Sequence, residues 1–186
     1  MEWLEGVWFG DAAYVRIDGR PIHPVFGPIC FETASEWEQI LGGLTVRPLL
    51  YVLPHLVEST RADGVFGWPP VDGGRSIRLE RWIEYLTNLY AMGGDSIEVM
   101  AIAFPGFHDV YETSYGHIDD RDGATFDETL AMAMASASPL VQIATWNDHG
   151  EGTSIEPTVE FGYRYIEALQ DAVSYTHLTL PTIRMV

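Results

Sequence analysis

Leu140-Val141-Gln142-Ile143-Ala144-Thr145 runs without a break into Trp146-Asn147-Asp148-His149-Gly150-Glu151-Gly152-Thr153. The first six residues read as a buried strand. They are few, rich in apolar and β-branched side chains, and preceded by Pro139. The next eight are polar, with two carboxylates three positions apart and a Trp, an Asn and a His beside them. Two glycines let the backbone take conformations that other residues resist. A strand that opens into a polar loop is where α/β barrels keep their chemistry.

Upstream, the pattern alternates. Tyr14 to Arg20 predicts a strand that ends in the Asp18-Gly19 turn, and Pro24-Val25-Phe26-Gly27 an apolar strand. Thr33 or Ser35 caps a helix over Glu36 to Leu41, stopped by Gly42-Gly43. Leu49 to Leu53 and Gly64 to Trp68 are further strands, the second halted by Pro69-Pro70. Ser76 to Met92 carries Leu79, Trp82, Ile83, Leu86, Leu89 and Tyr90 near helical spacing. Glu98 to Phe104 is a strand, followed by a long polar loop from Pro105 to Gly123. Thr125 to Ser136 is a helix, with Thr125 and Glu128 placed as a capping box. A last helix runs from about Val159 to Ala172. Strands alternating with helices predict an α/β fold with parallel strands. Strands that are apolar throughout predict that both sheet faces are covered. About five strands are present, so the expectation is the C-terminal part of a (β/α)8 barrel, with an open doubly wound sheet as the alternative. No glycine-rich nucleotide loop is present.

A chain of 186 residues, 47% hydrophobic, can bury the core of one domain. It is short of the roughly 250 residues of a full eight-fold barrel. The net charge is −17, and all ten basic residues are Arg. Such a chain repels nucleic acid and anionic membranes, so neither is expected as a partner; a neutral substrate such as a sugar fits better. No apolar run reaches the length of a membrane span. The single cysteine, Cys30, excludes an internal disulfide and a cysteine-based zinc site, and its plain reading is a small buried apolar residue. His23, His55 and His117 lack metal-ligand spacing. Neither a metal nor a cofactor is expected.

Residues 173–186 read as foreign to the fold of residues 1–172. Val173 to Thr182 resembles the translation of a transposase adapter used in preparing sequencing libraries. On that reading the chain is a metagenomic fragment and residues 1–172 are a partial barrel. No signal peptide is visible at Met1-Glu2-Trp3-Leu4-Glu5. For a full-length protein a secreted or periplasmic location is expected.

Thr145 to Pro157 resembles the signature of glycoside hydrolase family 99, Trp-Asn-Glu-Trp-His-Glu-Gly-Thr followed by Ile-Glu-Pro. Trp146-Asn147-Asp148 with Gly150-Glu151 also resembles family 71, the fungal α-1,3-glucanases. The chain looks most like the bacterial proteins that sit between the two. Tyr14 to Pro21, Phe104-Pro105-Gly106-Phe107-His108-Asp109 and Asp119-Asp120-Arg121-Asp122-Gly123 fit the same group. The resemblance covers roughly Tyr14 to Gln170. It implies a (β/α)8 barrel that hydrolyses α-linked glycans, mannan- or glucan-type, without a metal. The second signature glutamate maps onto Glu151, as general acid/base. The first maps onto Asp148, as the base that helps the sugar's own 2-hydroxyl attack. An Asp at this place matches family 71 and sets the carboxylate about one methylene farther back. His149 and Gly150 stand where family 99 has Trp and His, so contacts there differ.

Read from the residues alone, each candidate has a plain alternative. A general acid must hold its proton near neutral pH, which burial and a neighbouring anion can arrange; Glu151, beside Asp148, suits that role. Otherwise these are loop carboxylates that cap a helix or pair with an Arg. Trp146 and Trp68 stack on sugars or pack in the core. Asn147 shapes the site. His149 donates to sugar hydroxyls or is solvated. His108, Asp109 and Tyr111 follow a strand end and contact sugar or order the loop. Glu156, before Pro157, caps the following segment or braces the loop. Asp119, Asp120 and Asp122 lack the spacing of a calcium loop and form a turn or a sugar-binding edge. A non-catalytic glycan-binding protein on the same scaffold and a polysaccharide-linked glycosyltransferase are the competing functions.

Overall fold

The structure, a computed structural model, describes residues 1–27, 30–71, 74–94 and 96–179, without the side chains of 175–179. It is mixed α/β. Contacts divide it into two compact units: Met1–Trp68 with Leu86–Ala101 and Ala137–Leu140, and Pro69–Tyr85 with Ile102–Ser136 and Val141–Val186.

Helix α1 (Glu2–Leu4) continues as a π-helical turn, Glu5–Phe9. A hairpin follows, β1 (Arg16–Ile17) against β2 (Arg20–Pro24). Its turn residues, Asp18 and Gly19, both have positive φ, +48° and +79°. That is the two-residue turn whose twist matches paired strands. The Asp-Gly signal thus sits inside a hairpin, and the next strand is Arg20–Pro24. The strand expected over Pro24 to Gly27 does not form. Thr33 caps α2 (Ala34–Leu41) through a full capping box with Glu36.

Strands β3 (Leu49–Val52) and β4 (Gly64–Phe66) are buried along their whole length. A 3-10 turn (Pro54–Leu56) and the short α3 (Val57–Thr60) join them. Later elements are β5 (Arg75–Ser76), α4 (Leu79–Ala91), β6 (Glu98–Ala103), β7 (Phe107–His108), β8 (Gly116–Ile118), α5 (Ala124–Ala135), β9 (Leu140–Ile143) and α6 (Arg164–Thr179). The larger sheet has the order β1-β2-β3-β4-β6-β9, with β2, β3, β4 and β6 parallel. A second sheet has the order β5-β8-β7.

In the first unit, Leu49, Tyr51, Phe66 and Met100 form a core cluster. In the same unit, Arg20 pairs with Asp63 at 2.8 Å, and Asp63 accepts from the Leu50 amide. Tyr51 donates its hydroxyl to Glu98. Burial, and then this bond to an anion, push the Tyr51 phenol far above its usual range. His23 lies on β2 with its ring edge-on to Phe9. Burial holds the His23 imidazole below its ordinary value. The folded chain therefore favours neutral His23, and this contribution to stability is present above the unfolded value near 6.5 and lost as pH falls below it. The urea midpoint should drop between about pH 7 and pH 5.5, and drop less in His23→Gln. Equal slopes in the two proteins would refute this.

In the second unit, Ala103, Phe126, Leu130, Ile155 and Tyr165 form the core. Two short strands, β7 and β8, form within the long polar loop expected from Pro105 to Gly123. Pairing, not length, holds them: His108 lies opposite His117. The expected capping box at Thr125 and Glu128 is absent. Gly123 is the N-cap of α5, with φ +91° and no side-chain cap. Thr125 instead donates to the Asp119 carbonyl, and Glu128 binds both terminal nitrogens of Arg121. Arg121 in turn lies over the Trp82 ring. Strand β9 ends at Ile143 and is half-buried, not fully buried. Helix α6 starts later than expected because Gly162, at φ +60°, closes a turn back to Thr158. It runs past Ala172 to Thr179, and no Gly or Pro interrupts Arg164 to Leu180. Residues 180–186 of the adapter-like tail lie outside the described residues. Among the described residues no helix is long and apolar enough to cross a membrane.

Candidate active site

The polar loop after β9 is closed by its own threonines. The Thr145 amide donates to the Thr153 carbonyl at 2.8 Å, and the Ile155 amide to Thr145 at 3.1 Å. The two hydroxyls, Thr145 Oγ1 and Thr153 Oγ1, meet at 3.0 Å. Thr153 is fully buried. Between these ends the chain folds around Asp148. Its amide donates to Thr145 Oγ1 at 2.9 Å, its carbonyl accepts from Thr153, and its Oδ1 accepts from the Glu151 amide at 3.1 Å. A short carboxylate bonding the backbone a few residues on is a common way to hold a turn. Here it fixes the Asp148–Glu151 spacing in space as well as in sequence.

The loop is laid against β7 and the residues after it. The His108 amide donates to the Glu151 carbonyl at 2.8 Å, and the Val110 amide to Gly150 at 3.0 Å. So close an approach requires Gly152. Its φ is +63°, and a Cβ there would lie 2.9 Å from the His108 carbonyl oxygen. The segment that receives the loop is anchored from behind. Thr129 of α5 accepts from the Phe104 amide and donates to the Phe104 carbonyl.

Of the candidates, His108, Asp109 and Tyr111 are thus brought together with Trp146, Asn147, Asp148, His149 and Glu151. Tyr111 donates its hydroxyl to Glu151 Oε1 at 3.4 Å. Glu151 Oε2 is buried. The Tyr111 phenol is held above its usual range, first by partial loss of solvent and then by the negative charges of Glu151 and Asp148. Trp146 is exposed, at 53%, so its indole is not core; its carbonyl accepts from Ser154 Oγ and from the Glu156 amide. Asn147 is exposed, and its carbonyl accepts from the His149 amide. His149 meets Glu156 at 3.3 Å, a contact within the loop of the kind the bracing reading expects.

Asp109 is buried, and its Oδ2 takes the Tyr115 amide at 2.5 Å. Asp109 thus orders the loop through Oδ2, and its Oδ1 is buried as well. His108 is exposed, with its ring edge-on to His117 at 5.1 Å. Trp68 belongs to the first unit, half-buried with its ring edge-on to Phe26 at 4.7 Å. Asp119 and Asp120 accept from the amides of Arg121 and Asp122, which gives the turn reading of that run. Cys30 is exposed, not buried. Among the described residues, no group of three or more His, Cys, Asp or Glu gathers as a metal ion would need.

Three contributors were not singled out from the sequence. Thr145, just before the eight-residue motif, and Thr153, its last residue, were given no role of their own, and their amide–carbonyl and hydroxyl contacts supply it. Tyr115 packs edge-on against Tyr111 at 5.6 Å. Its signal was the Asp109–Tyr115 spacing, a carboxylate closing a loop onto an amide.

No protein-family model matches this sequence, and no curated protein matches it. Solved structures do resemble it. A structure of the GH99 endo-alpha-mannosidase from Bacteroides thetaiotaomicron superposes with a TM-score of 0.70 at 15% identity, over 95% of this chain and 61% of that one. The same enzyme in complex with BIS-TRIS-propane gives 0.71 at 15% identity, over 96% and 65%. The chain spans less than two thirds of the length of either structure. At this identity the likeness is one of fold: the chain has a GH99-like fold.

Proposed function

We propose that this chain carries the catalytic loop of a glycoside hydrolase that cleaves α-linked glycans of mannan or glucan type. On this reading it is the C-terminal part of a (β/α)8 barrel, and the substrate is an oligosaccharide or polysaccharide. The observation that carries the proposal is the pairing of Asp148 and Glu151 on one braced loop, with the Tyr111 hydroxyl on Glu151 and an exposed Trp146 beside them. Two carboxylates are what glycosidic cleavage requires. Glu151 gives its proton to the bridging oxygen as the bond from that oxygen to the anomeric carbon breaks. Asp148 takes the proton of the sugar 2-hydroxyl, whose oxygen attacks the same carbon. Water then attacks the anomeric carbon and breaks its bond to the 2-oxygen, giving a proton to Glu151, while the 2-oxygen takes its own proton back from Asp148. Trp146 offers an apolar face for a sugar ring; Asn147, His149 and His108 offer polar atoms for its hydroxyls.

A second reading has one specific observation behind it. Asp148 Oδ1 is already engaged by the Glu151 amide, as a purely architectural carboxylate would be. A non-catalytic glycan-binding protein would look like this. Because this reading makes the chain part of a barrel, the test is to incubate the protein carrying the whole barrel with defined α-linked mannan and glucan oligosaccharides and measure new reducing ends. The glycosidase reading expects them from one of the two classes. Saturable binding without any new ends decides for the second reading.

A further inference from the structure

We propose that Tyr111 is a positioning residue for Glu151: its hydroxyl, set by the Tyr115 ring and the Asp109 carboxylate, donates to Oε1 and orients the carboxyl group on which the proposed acid–base step depends. The inference rests on the reading of Glu151 as that acid/base. The geometry is a relay of three contacts within the second unit. Asp109 is 6% exposed, and its Oδ2 fixes the Tyr115 amide at 2.5 Å. The Tyr115 ring stands edge-on to Tyr111, with centroids 5.6 Å apart and planes at 78°; aromatic pairs favour this arrangement. Tyr111 then reaches Glu151 Oε1 at 3.4 Å. Without the relay, a half-exposed tyrosine would lose rotamer freedom for one weak bond, so the ring partner is what makes the contact persist.

The charges around the contact agree. Glu151, Asp148 and Asp109 all act on the Tyr111 phenol and favour its neutral, donating form. On the Glu151 loop, His149 is turned to Glu156; across it, the His108 ring meets His117. A hydrogen bond donated to a carboxylate favours the ionised carboxylate. Removing the hydroxyl should therefore shift the titration of Glu151 upward.

The test is a carbon-13 titration of the glutamate carboxyl groups, with Glu151 assigned from the signal missing in Glu151→Gln. Tyr111→Phe keeps the ring pair and removes only the donor. The midpoint of Glu151 is expected to rise by about half a pH unit or more. Tyr115→Ala, which frees the Tyr111 ring, is expected to move it the same way by less. An unmoved midpoint in Tyr111→Phe overturns the proposal. The titration needs no turnover, so it is read apart from hydrolysis. If Glu151→Gln in the protein carrying the whole barrel leaves glycan hydrolysis unchanged, the glycosidase reading of Glu151 falls, and the catalytic meaning of the contact falls with it.

Discussion

Glu151→Gln is expected to lower glycan hydrolysis by about a thousandfold or more while oligosaccharide affinity stays within about threefold. Glutamine has the shape of glutamate and still accepts from the Tyr111 hydroxyl, but it has no proton to give. The backbone of residue 151 does the structural work, donating to Asp148 Oδ1 and accepting from the His108 amide. Neither bond needs the carboxyl group, so the loop and the denaturation midpoint should be unchanged. The loss then belongs to chemistry and not to folding. A variant that hydrolyses as fast as the parent would remove Glu151 from the mechanism, whatever its position on the loop.

Gly152→Val should damage both fold and activity. Residue 152 must hold φ at +63°, and a valine Cβ would sit 2.9 Å from the His108 carbonyl oxygen and 3.2 Å from its amide nitrogen. A non-glycine residue in that backbone region costs about 1–3 kcal/mol, and a β-branched one lies at the upper end. The contact cannot be relieved by a side chain moving aside, because its partner is backbone. The loop must lift away from β7, which breaks the bond from the His108 amide to Glu151 and moves the carboxyl group. Hydrolysis should fall to background, and the urea midpoint should fall with it. Gly150→Ala is the control. There a Cβ would meet only a side-chain atom, Asp148 Oδ1, at 3.3 Å, without positive φ, so a small effect on the urea midpoint is expected. Equal behaviour of the two variants would show that the close approach at Gly152 is not needed.

Much of the fold was legible because it rests on local pattern. The apolar runs at Leu49, Gly64 and Glu98 became the buried parallel strands, and the amphipathic spacing around Trp82 became α4. Thr33 and Glu36 formed the capping box their spacing predicts. Thr125 and Glu128 have the same spacing and did not, because Arg121 offered both of them a stronger partner. The two cases differ in Arg121, four residues before Thr125, whose reach to both side chains the spacing of the box alone does not show. Strands of two or three residues, such as β7 and β8, lack the length to show a period, so the run from Pro105 to Gly123 read as loop. The start of α6 was misplaced because Gly162 acts through its backbone angle alone.

The site divides in the same way. Asp148 and Glu151 stand three residues apart, and a turn can join them, so their neighbourhood was readable. Tyr111 lies forty residues before Glu151 and reaches it only because two backbone bonds lay the loop against β7. The hydroxyl pair of Thr145 and Thr153 and the ring pair of Tyr111 and Tyr115 are contacts that residue type does not announce. Trp68 was read as a strand-end aromatic; the structure gives it Phe26 as a neighbour and assigns it to the other unit.

The claim at the centre is that a glycan reacts on the loop between β9 and α6. The most direct measurement is a crystal structure of Glu151→Gln bound to an α-linked mannan or glucan oligosaccharide. The predicted result places the bridging oxygen within about 3 Å of the side chain at position 151 and the neighbouring 2-hydroxyl within the same reach of Asp148. A sugar seated elsewhere on the chain, with those two side chains untouched, would contradict it.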